Sequence, residues 1–509
     1  MSTAAPWLVP LLGAAASREV DRHAIEDLGI PSLDLMERAS AGLAALVAEV
    51  APEGPVAVVC GGGNNGGDGY AAARLLRESW REVRVLAAVP PDRLHGDAAV
   101  QVARLPGEAP RPFAPQQLEG AAVIVDALLG TGFSGVPRGA VGEAITALSA
   151  GGIPVVAADV PSGVDASSGE IAGAAVSAVA TATFHAAKPG LWVNPGKRHA
   201  GAVRVVDIGV PPTAGPQAVV AGDVGLIDDD ALLAGLPRRA AGWTKFTSGH
   251  VLVAGGSRGL TGAVVLASEA AMRAGAGYVT ACVPAGLQPL LAAHLVEVMQ
   301  LALEDDDGAH TPAGAEVVLA QAGRRGGALV LGPGLGRRDG AREFARTLAA
   351  AAPVPLLLDA DGLNAHVGAL EALAARTAPT VLTPHAGELG RLLGVPAAEV
   401  EARRLEHARR AARETDAILV LKGDDTLVAR PDGTVAVSPG ATPALATAGT
   451  GDVLSGVAGA MLARGIEPFA AACAAVRLHA RAGVRAARHL GAEGVIARDV
   501  IAALPGARP

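Results

Sequence analysis

The segment VAVVCGGGNNGGDG, residues 56–69, joins a short run of small and β-branched apolar residues to a turn rich in glycine. The stretch that follows, Ala71 to Leu76, has the composition of a helix. A strand, a glycine-rich turn and a helix in this order are typical of a βαβ unit, from which parallel sheets are built. The turn is then expected at the carboxyl end of its strand, the edge where such sheets bind ligands.

Similar apolar runs recur along the chain and alternate with helical patterns. They are VIVDALL from Val123, PVVAADV from Pro154, HVLVAGG from His250, ALVLGPG from Ala328, LLLDADG from Leu356 and TVLTPH from Thr380. Ahead of the first strand, apolar residues at helical spacing predict a helix from Leu33 to Val50 with Ser32 as its N-cap. The sequence therefore predicts an α/β fold with parallel sheets.

The length of the chain predicts two domains. At 509 residues it exceeds what one hydrophobic core usually organises. Between Val210 and Trp243 the alternating pattern gives way to proline, glycine and acidic residues. We place the domain boundary in this region, with domains of residues 1–225 and 226–509.

Composition and charge argue against several classes of function. The net charge is −8 and aromatic residues form 2% of the chain, so a nucleic-acid-binding surface is not expected. No uncharged run is long enough to span a bilayer, and the apolar N-terminal stretch lacks a basic leader and is broken by Pro6 and Pro10. These features predict a soluble, cytoplasmic protein with no membrane partner. The three cysteines, Cys60, Cys282 and Cys473, are expected to be buried free thiols.

Two further motifs of the first half also follow apolar strands. DALLGTG spans residues 126–132 and DVPSGVD spans residues 159–165. Parallel strands end at one edge of a sheet, so the motifs are expected to bring together Asn64, Asn65, Asp126, Asp159 and Ser162. Oxygens of Asn65, Asp126 and Ser162 would suit a hard cation. The alternative is that Asp126 and Asp159 only cap the turns that follow them.

In the second half, AGTGDVLSG at residues 448–456 predicts phosphate chemistry. Its glycines let backbone N–H groups approach an anion at a helix N-terminus, where Asp452 could remove a proton from a hydroxyl. GGSRGLTGA, GPGLG, TPHAGE and LKGDDT, which begin at Gly255, Gly332, Thr383 and Leu421, follow other predicted strands. LKGDDT is expected to start a hairpin that offers Lys422 and backbone N–H groups to a nucleotide phosphate.

These motifs resemble a known family. NNGGDG, DALLGTG, DVPSGVD and TATFHAAKPG (residues 181–190) resemble the epimerase domain of the bifunctional NAD(P)H-hydrate repair enzymes, and GGSRGLTGA, GPGLG, TPHAGE, LKGDDT and AGTGD resemble their ADP-dependent dehydratase domain. The resemblance implies a Rossmann-like three-layer sandwich followed by a ribokinase-like domain. It implies an isomerase and a lyase that act on NADHX and NADPHX, with K⁺ in the first domain and with Mg²⁺ and ADP in the second. We also expect a homo-oligomer.

The resemblance also assigns roles to residues. In the first domain Asp159 would be the acid/base and Lys188 would assist it, whereas Lys188 considered alone would be a solvated surface lysine. The K⁺ ligands would be Asn65, Asp126 and Ser162. Contacts to the hydrated dinucleotide would come from Asn64, Asn65, Gly66, Gly67, Asp68, Gly130, Thr131, Gly132, Phe133, Ser134, Gly135 and Val136.

In the second domain Asp452 would be the catalytic base. The hydrate site would be lined by Ala263, Gly336 and His385, and the adenine nucleotide would be bound by Lys422, Gly423, Asp424, Asp425, Thr426 and Gly451. Outside the motif, His385 could equally be a capping or packing residue, and Asp424 and Asp425 could be turn residues. The chain departs from the family at Gly362, where alanine is usual, and at SPGATPALAT, residues 438–447, which replaces GNPGMAT.

Three other functions remain open. AGTGD with Asp452 also fits an ATP-dependent ribokinase-like kinase for a small alcohol. The first half could be a binding module, because similar domains occur in RNA-decapping scaffolds. A dinucleotide oxidoreductase is disfavoured, because GGGNNGGDG lacks the G-x-G-x-x-G spacing. The preference for NADHX or NADPHX, the identity of the cation and any direct transfer of substrate are not predicted.

Overall fold

The structure is a computed structural model that describes residues 5–211 and 223–508. The chain forms two compact units: one comprises the described residues of 10–219, and the other those of 1–9 and 220–509. Part of the predicted boundary segment, residues 212–222, lies outside the described residues.

The strands are β1 Leu8–Pro10, β2 Val56–Cys60, β3 Val83–Ala87, β4 Arg111–Pro112, β5 Val123–Ala127, β6 Val155–Ala158, β7 Ala180–Phe184, β8 Ala202–Val206, β9 Val224–Ile227, β10 His250–Ala254, β11 Tyr278–Pro284, β12 Met299–Leu303, β13 Asp305–Asp306, β14 Ala309–His310, β15 Ala328–Leu331, β16 Leu356–Leu358, β17 Thr380–Leu382, β18 Ile418–Leu421, β19 Leu427–Ala429 and β20 Val435–Val437.

The α-helices are α1 Ala14–Arg22, α2 Ser32–Val50, α3 Asn64–Glu78, α4 Gly96–Ala103, α5 Gly139–Ala150, α6 Lys197–Ala200, α7 Asp229–Ala234, α8 Thr261–Arg273, α9 Gln288–Ala292, α10 Gly314–Arg325, α11 Asp339–Ala351, α12 Asp361–Asn364, α13 Glu371–Ala374, α14 Ala386–Leu393, α15 Ala397–Ala402, α16 Arg404–Thr415, α17 Thr450–Ala463, α18 Pro468–Leu490 and α19 Ala497–Ala503.

The N-terminal unit is a parallel sheet covered on both faces. Its strand order is β4-β3-β2-β5-β6-β7-β8, and every pairing is parallel. Side chains alternate along each strand, so Val56 and Val58 of β2 face a core shared with α2 and α3, whereas Ala57 and Val59 face a core shared with α5. This confirms the three-layer arrangement, and burial of both faces explains why the strands are continuously apolar.

The NNGGDG motif is helical, which corrects the prediction of a glycine-rich loop through residue 69. Only residues 61–63 connect β2 to α3, and α3 begins at Asn64. A Cβ on Gly66 would lie 2.2 Å from the carbonyl oxygen of Gly61, and one on Gly69 would lie 2.5 Å from the Cβ of Ala127. Glycine is therefore required for the close approach of α3 to the sheet, and this packing outweighs the poor helix propensity of glycine.

Helix α2 has the predicted extent but not the predicted cap. Its buried apolar residues, Leu35, Met36, Ala39, Leu43, Leu46 and Val47, repeat at helical spacing. Ser32 is the first helical residue, and Pro31 occupies the N-cap position without a side-chain hydrogen bond. The prediction that Ser32 caps this helix is therefore wrong.

The C-terminal unit is built on a second, mostly parallel sheet. The strand order is β1-β9-β20-β19-β18-β17-β16-β15-β10-β11-β12. The strands from β18 through β12 pair in parallel, whereas β18, β19 and β20 pair antiparallel, and β19 and β20 form the hairpin predicted after LKGDDT. Strand β1 pairs with β9, so the beginning of the chain completes this sheet and not the N-terminal one.

All three cysteines are buried free thiols, as predicted. Among the described residues, none of the helices combines the length and apolar character needed to cross a bilayer.

Candidate active sites

The predicted motifs of the N-terminal unit meet at one edge of its sheet. They follow the carboxyl ends of β2, β5, β6 and β7, which are neighbours in the sheet. A cavity of about 650 Å³ opens at this edge. The predicted site residues that line it are Asn64, Asn65, Asp68, Gly130, Thr131, Gly132, Phe133, Asp159 and Lys188.

Asp159 and Lys188 form a buried ion pair in the cavity wall. Lys188 Nζ donates to Asp159 Oδ1 at 2.6 Å, to Thr183 Oγ1 at 2.9 Å and to the carbonyl oxygen of Phe184 at 2.8 Å. The Lys188 side chain is 3% exposed, so the alternative of a solvated surface lysine is wrong. Burial would raise the pKa of Asp159, but the charge and hydrogen bonds of Lys188, with hydrogen bonds from Thr131, lower it overall. The carboxylate is thus held ionised.

The backbone also fixes Asp159. Its φ is +65°, a left-handed conformation that costs energy for a residue with a Cβ. Its N–H donates to the carbonyl oxygen of Ala182 at 2.7 Å, and its Oδ2 accepts from the backbone N–H of Thr131 at 3.1 Å. These contacts hold the carboxylate toward the loop predicted to contact substrate.

Of the three predicted cation ligands, Asp126 and Ser162 are hydrogen-bonded to each other, and Asn65 lines the cavity. Asp126 is fully buried and accepts from the hydroxyl of Ser162 at 2.6 Å and from its N–H at 2.8 Å. Burial raises the pKa of Asp126 to about 6, although the hydrogen bonds from Ser162 oppose this shift. Both amide atoms of Asn65 are buried without a hydrogen-bond partner in the described structure. Buried polar atoms are rarely left without a hydrogen bond, so the amide of Asn65 has unused capacity to bind a ligand.

Several predicted substrate contacts lie elsewhere. Gly66 and Gly67 are buried inside α3, and a Cβ on Gly67 would lie 2.8 Å from Met36 Cε, so both glycines serve helix packing. Ser134, Gly135 and Val136 are exposed and do not line the cavity.

Asp68 lies in the cavity wall and is buried. Burial and the nearby charges of Asp159 and Asp21 raise its pKa well above the ordinary range. In this cavity the pKa of Asp159 is therefore lowered, whereas that of Asp68 is raised.

The motifs of the C-terminal unit also meet at one sheet edge. GGSRGLTGA, GPGLG, LDADG, TPHAGE and LKGDDT follow β10, β15, β16, β17 and β18, which are consecutive neighbours in the sheet. Helix α17 begins beside them, with Gly449 at its N-cap in a left-handed conformation and Asp452 in its first turn. The arrangement presents helix N-terminal N–H groups and a carboxylate to the same space.

Asp452 has the acidity expected of a general base. Burial, reinforced by the negative charge of Asp359 and opposed by Lys422, raises its pKa to about 7. A base with a pKa near the working pH combines a substantial ionised fraction with proton affinity.

Asp359 anchors the groups around Asp452. It is 2% exposed, accepts from Lys422 Nζ at 2.8 Å through one oxygen, and accepts from the hydroxyl of Ser455 at 2.7 Å through the other. Lys422 Nζ also lies 3.7 Å from Glu388 Oε2. Burial alone would lower the pKa of Lys422, but the carboxylates of Asp359 and Glu388 raise it, so the lysine is cationic.

His385 caps a helix, as its alternative interpretation allowed. Its Nδ1 accepts from the N–H of Gly387 at 3.0 Å, and its own N–H donates to Glu388 Oε2 at 2.9 Å. The ring remains 56% exposed and free to meet a ligand at this edge.

The other two predicted contacts to the hydrate lie in adjoining loops. The N–H of Gly336 donates to Asp361 Oδ2 at 3.1 Å, which ties GPGLG to LDADG. Ala263 lies in α8, where a Cβ on Gly334 would come within 3.0 Å of it.

The predicted nucleotide loop, residues 422–426, is held in place by a buried side chain. Asp425 is fully buried and accepts from Arg404 Nε at 3.0 Å, so its side chain supports the loop. Thr426 closes the turn by accepting from the N–H of Gly423 at 3.2 Å, and Asp424 is exposed. Gly451 lies beside this loop, since its Cβ would be 3.8 Å from Lys422 Nζ.

The two departures from the family have local consequences. A Cβ on Gly362 would lie 2.5 Å from the carbonyl oxygen of Leu331, so this backbone has no room for the usual alanine. In the segment of residues 438–447, the carbonyl oxygens of Leu445 and Thr447 accept from the hydroxyl of Thr450, which positions the start of α17.

Sequence reasoning missed Asp359, Glu388, Ser455 and Arg404. The available signal was that Asp359 directly follows an apolar strand, as Asp159 does, and that Glu388 and Ser455 lie inside quoted motifs. No sequence pattern pointed to Arg404, because its partner Asp425 is 21 residues away, in the LKGDDT motif.

Comparison with known proteins identifies the family of each half of the chain. Residues 251–506 match the family described as NAD(P)H-hydrate dehydratase, and residues 32–190 match the family described as YjeF-related protein N-terminus. The bifunctional NAD(P)H-hydrate repair enzyme Nnr of Salinibacter ruber is 39% identical, over 97% of this chain and 95% of its own length. The enzyme of the same name from Moorella thermoacetica is 38% identical, over 97% and 96%.

Among solved structures, the ADP/ATP-dependent NAD(P)H-hydrate dehydratase of Bacillus subtilis, co-crystallised with ATP and Mg²⁺, matches with a TM-score of 0.46 and 31% identity. The match covers 55% of this chain and 95% of that one. The extent and identity of the full-length matches establish that this chain belongs to the family of bifunctional NAD(P)H-hydrate repair enzymes.

Proposed function

We propose that this protein repairs NADH and NADPH damaged by addition of water to the nicotinamide ring. The N-terminal unit interconverts the R and S hydrates, and the C-terminal unit dehydrates the S hydrate with ADP to give the reduced dinucleotide, AMP and phosphate. The observation that carries this proposal is the pair of carboxylates tuned for different tasks. Asp159 is held ionised by Lys188, and Asp452 has a pKa of about 7 beside a helix N-terminus.

In the dehydration, Asp452 takes the proton of the substrate hydroxyl. The oxygen then attacks the terminal phosphorus of ADP, the bond from that phosphorus to the bridging oxygen breaks, and AMP leaves. Phosphate departs from the ring with the electrons of the C–O bond, while the neighbouring carbon loses a proton and the double bond is restored. Positioning and charge stabilisation dominate such phosphoryl transfers. Lys422 and the N–H groups at the start of α17 supply positive charge at the transferred group.

Mg²⁺ is proposed as the counter-ion of the ADP phosphates, since Mg²⁺ usually binds through one or two carboxylates together with substrate phosphates. Asp359, Asp361, Glu388 and Asp452 provide carboxylates at this edge. We also propose that residues 422–426 and Gly451 bind ADP, and Asp425 supports this loop through its buried pair with Arg404.

In the epimerisation, Asp159 acts as the acid/base that exchanges a proton with the substrate, and Lys188 keeps its carboxylate ionised. We propose that Asn65, Asp126 and Ser162 hold K⁺. The unpartnered, buried amide of Asn65 and the buried carboxyl of Asp126 suit K⁺. The amide oxygen would coordinate the ion, and the ion would balance the negative charge of the Asp126 carboxylate. K⁺ bound there would supply fixed positive charge to this site.

We also propose that the protein is cytoplasmic and forms a homo-oligomer. Fractionation of the source cells tests the location, and light scattering of the purified protein measures the oligomeric state.

The test is product analysis with purified protein, ADP and the S hydrate. AMP, phosphate and NADH should appear in equal amounts, and Asp452→Asn should reduce their formation at least 100-fold. A variant that released AMP at the parental rate would overturn the assignment of Asp452. Supplying ATP and a small alcohol in place of ADP and the hydrate tests the kinase alternative, for which phosphorylated alcohol is the expected product.

A further inference from the structure

A second cavity in the C-terminal unit is lined by positive charge. Its volume is about 270 Å³, and its lining includes five arginines: Arg238, Arg239, Arg273, Arg464 and Arg508. The remaining lining residues are Ala274, Gly275, Leu478, Leu504 and Pro505, so the described wall contains no carboxylate.

This arginine cavity is separate from the dehydratase site. Arg464 directly follows the last residue of α17, and Asp452 lies in the first turn of the same helix. Twelve residues at a rise of 1.5 Å each place the two about 18 Å apart along the helix axis. The cavity therefore opens near the opposite edge of the sheet from the loops assigned to nucleotide and hydrate.

Backbone carbonyls satisfy only part of the guanidinium hydrogen-bonding capacity. Arg239 donates to the carbonyl oxygen of Ala276 at 3.0 Å, while Arg464 and Arg508 both donate to the carbonyl oxygen of Pro237, the latter at 3.3 Å. Nε of Arg464, together with Nε and one terminal nitrogen of Arg508, is buried without a partner in the described part of the chain. Buried donors of this kind are costly unless a ligand or water satisfies them.

The arginines also repel one another. The pKa of Arg464 is lowered by burial and by the charges of Arg508 and Arg239, and that of Arg508 is lowered by burial and by the charge of Arg238. A helix C-terminus favours a cation, which accounts for Arg273 and Arg464 individually. It does not account for the three other arginines, which come from segments before and after these helices.

We propose that the arginine cavity binds a small anion with two or more phosphoryl groups. Guanidinium groups bind phosphate oxygens through paired N–H donors, which matches the unused donors here. A terminal phosphoryl group carries about 1.5 to 2 negative charges near neutral pH, so an anion with two or three phosphoryl groups offsets most of the charge of the five guanidiniums. A diphosphate or triphosphate satisfies the buried donors and removes the repulsion.

The test is calorimetric titration of the full-length protein with inorganic pyrophosphate at fixed ionic strength. Arg464→Gln and Arg508→Gln should each weaken the binding at least tenfold, whereas Arg324→Gln, at an exposed arginine of the same unit, should not change it. Arg464→Lys keeps the positive charge but loses the paired N–H donors of the guanidinium, so it should weaken pyrophosphate binding less than Arg464→Gln does. Lys422→Ala should retain the binding, because Lys422 belongs to the other site.

Three results would overturn the proposal: no binding of pyrophosphate, binding unchanged in both Arg464→Gln and Arg508→Gln, or binding abolished by Lys422→Ala alone. Orthophosphate that bound as tightly as pyrophosphate would contradict the requirement for two phosphoryl groups.

Discussion

Replacing Asp359 with asparagine should move the pH dependence of dehydration to lower pH. The base that we propose, Asp452, can act only when ionised, so the rate should rise with pH through its pKa of about 7 and level off above it. The negative charge of Asp359 is one cause of this raised pKa. Asp359→Asn removes that charge and frees Lys422, and both effects favour ionised Asp452.

The size of the shift follows from the geometry. Ser455 is three residues beyond Asp452 on α17, and its hydroxyl donates to Asp359 at 2.7 Å. Neighbours at this helical spacing have Cβ atoms about 5–6 Å apart, which places the two carboxylates roughly 8 Å from each other. At an effective dielectric constant of about 20, two unit charges at that distance interact by about 2 kcal/mol, or about 1.5 pKa units. Burial, the larger cause of the raised pKa, is unchanged in the variant. The midpoint of the pH dependence of dehydration should therefore fall to between about 5 and 6.

The assay is kcat/KM for the S hydrate with saturating ADP, measured from the recovery of NADH absorbance across the pH range. Asp339→Asn is a matched control, because that side chain is 96% exposed and pairs with Arg342 on the surface. Ser455→Ala removes the hydrogen bond but keeps the charge of Asp359, so its midpoint should stay near that of the parent protein. A midpoint that stayed at about 7 or rose in Asp359→Asn would refute the coupling of Asp359 to Asp452.

Three further changes test the buried contacts. Lys188→Met leaves the carboxylate of Asp159 buried without its cation, so the free energy of unfolding should fall by about 3 kcal/mol and R-to-S conversion by at least 100-fold. In the parent protein the stabilisation by this pair is present above the ordinary carboxyl pKa of about 3.9 and is lost as pH falls through the lowered pKa of Asp159. Arg404→Ala should lower the free energy of unfolding by about 3 kcal/mol and weaken binding of ADP, because Asp425 loses its partner beneath the nucleotide loop. Gly66→Ala should destabilise the N-terminal unit, because its Cβ would lie 2.2 Å from a backbone carbonyl oxygen.

Denaturant unfolding, monitored for each unit, measures all three stability changes against matched controls. Arg204→Ala breaks an exposed pair with Glu49 and should cost less than about 1 kcal/mol. Gly63→Ala adds a Cβ with no heavy atom within 4 Å and should be tolerated. If Lys188→Met or Arg404→Ala cost no more than Arg204→Ala, the buried pairs would not support their sites, and equal stability of both glycine variants would refute the packing role of Gly66.

The sequence predicted the architecture because its strongest signals are local. Continuous apolar strands can be buried only between two layers of helices, and the carboxyl ends of parallel strands share one edge. Those two rules were enough to predict that Asp126, Asp159 and Ser162 lie at one edge of the sheet.

Other features depend on contacts between distant segments and could not be predicted in this way. Helix α3 begins within a run of glycines because the sheet needs a close neighbour there, which local propensity does not reveal. Strand β1 belongs to the second sheet through pairing with β9, more than 200 residues away. Lys188 is buried through its contacts with Asp159 and Thr183, whereas an isolated lysine is usually exposed.

We propose that one chain contains two separable active sites that act in succession, and complementation between two variants measures this separation. The measurement is the total NADH recovered from a mixture of R and S hydrates with excess ADP. Asp159→Asn should stop when the S fraction is consumed, Asp452→Asn should recover almost none, and the two variants mixed together should recover the full amount. Complete recovery by Asp159→Asn alone, or no recovery by the mixed variants, would contradict the account.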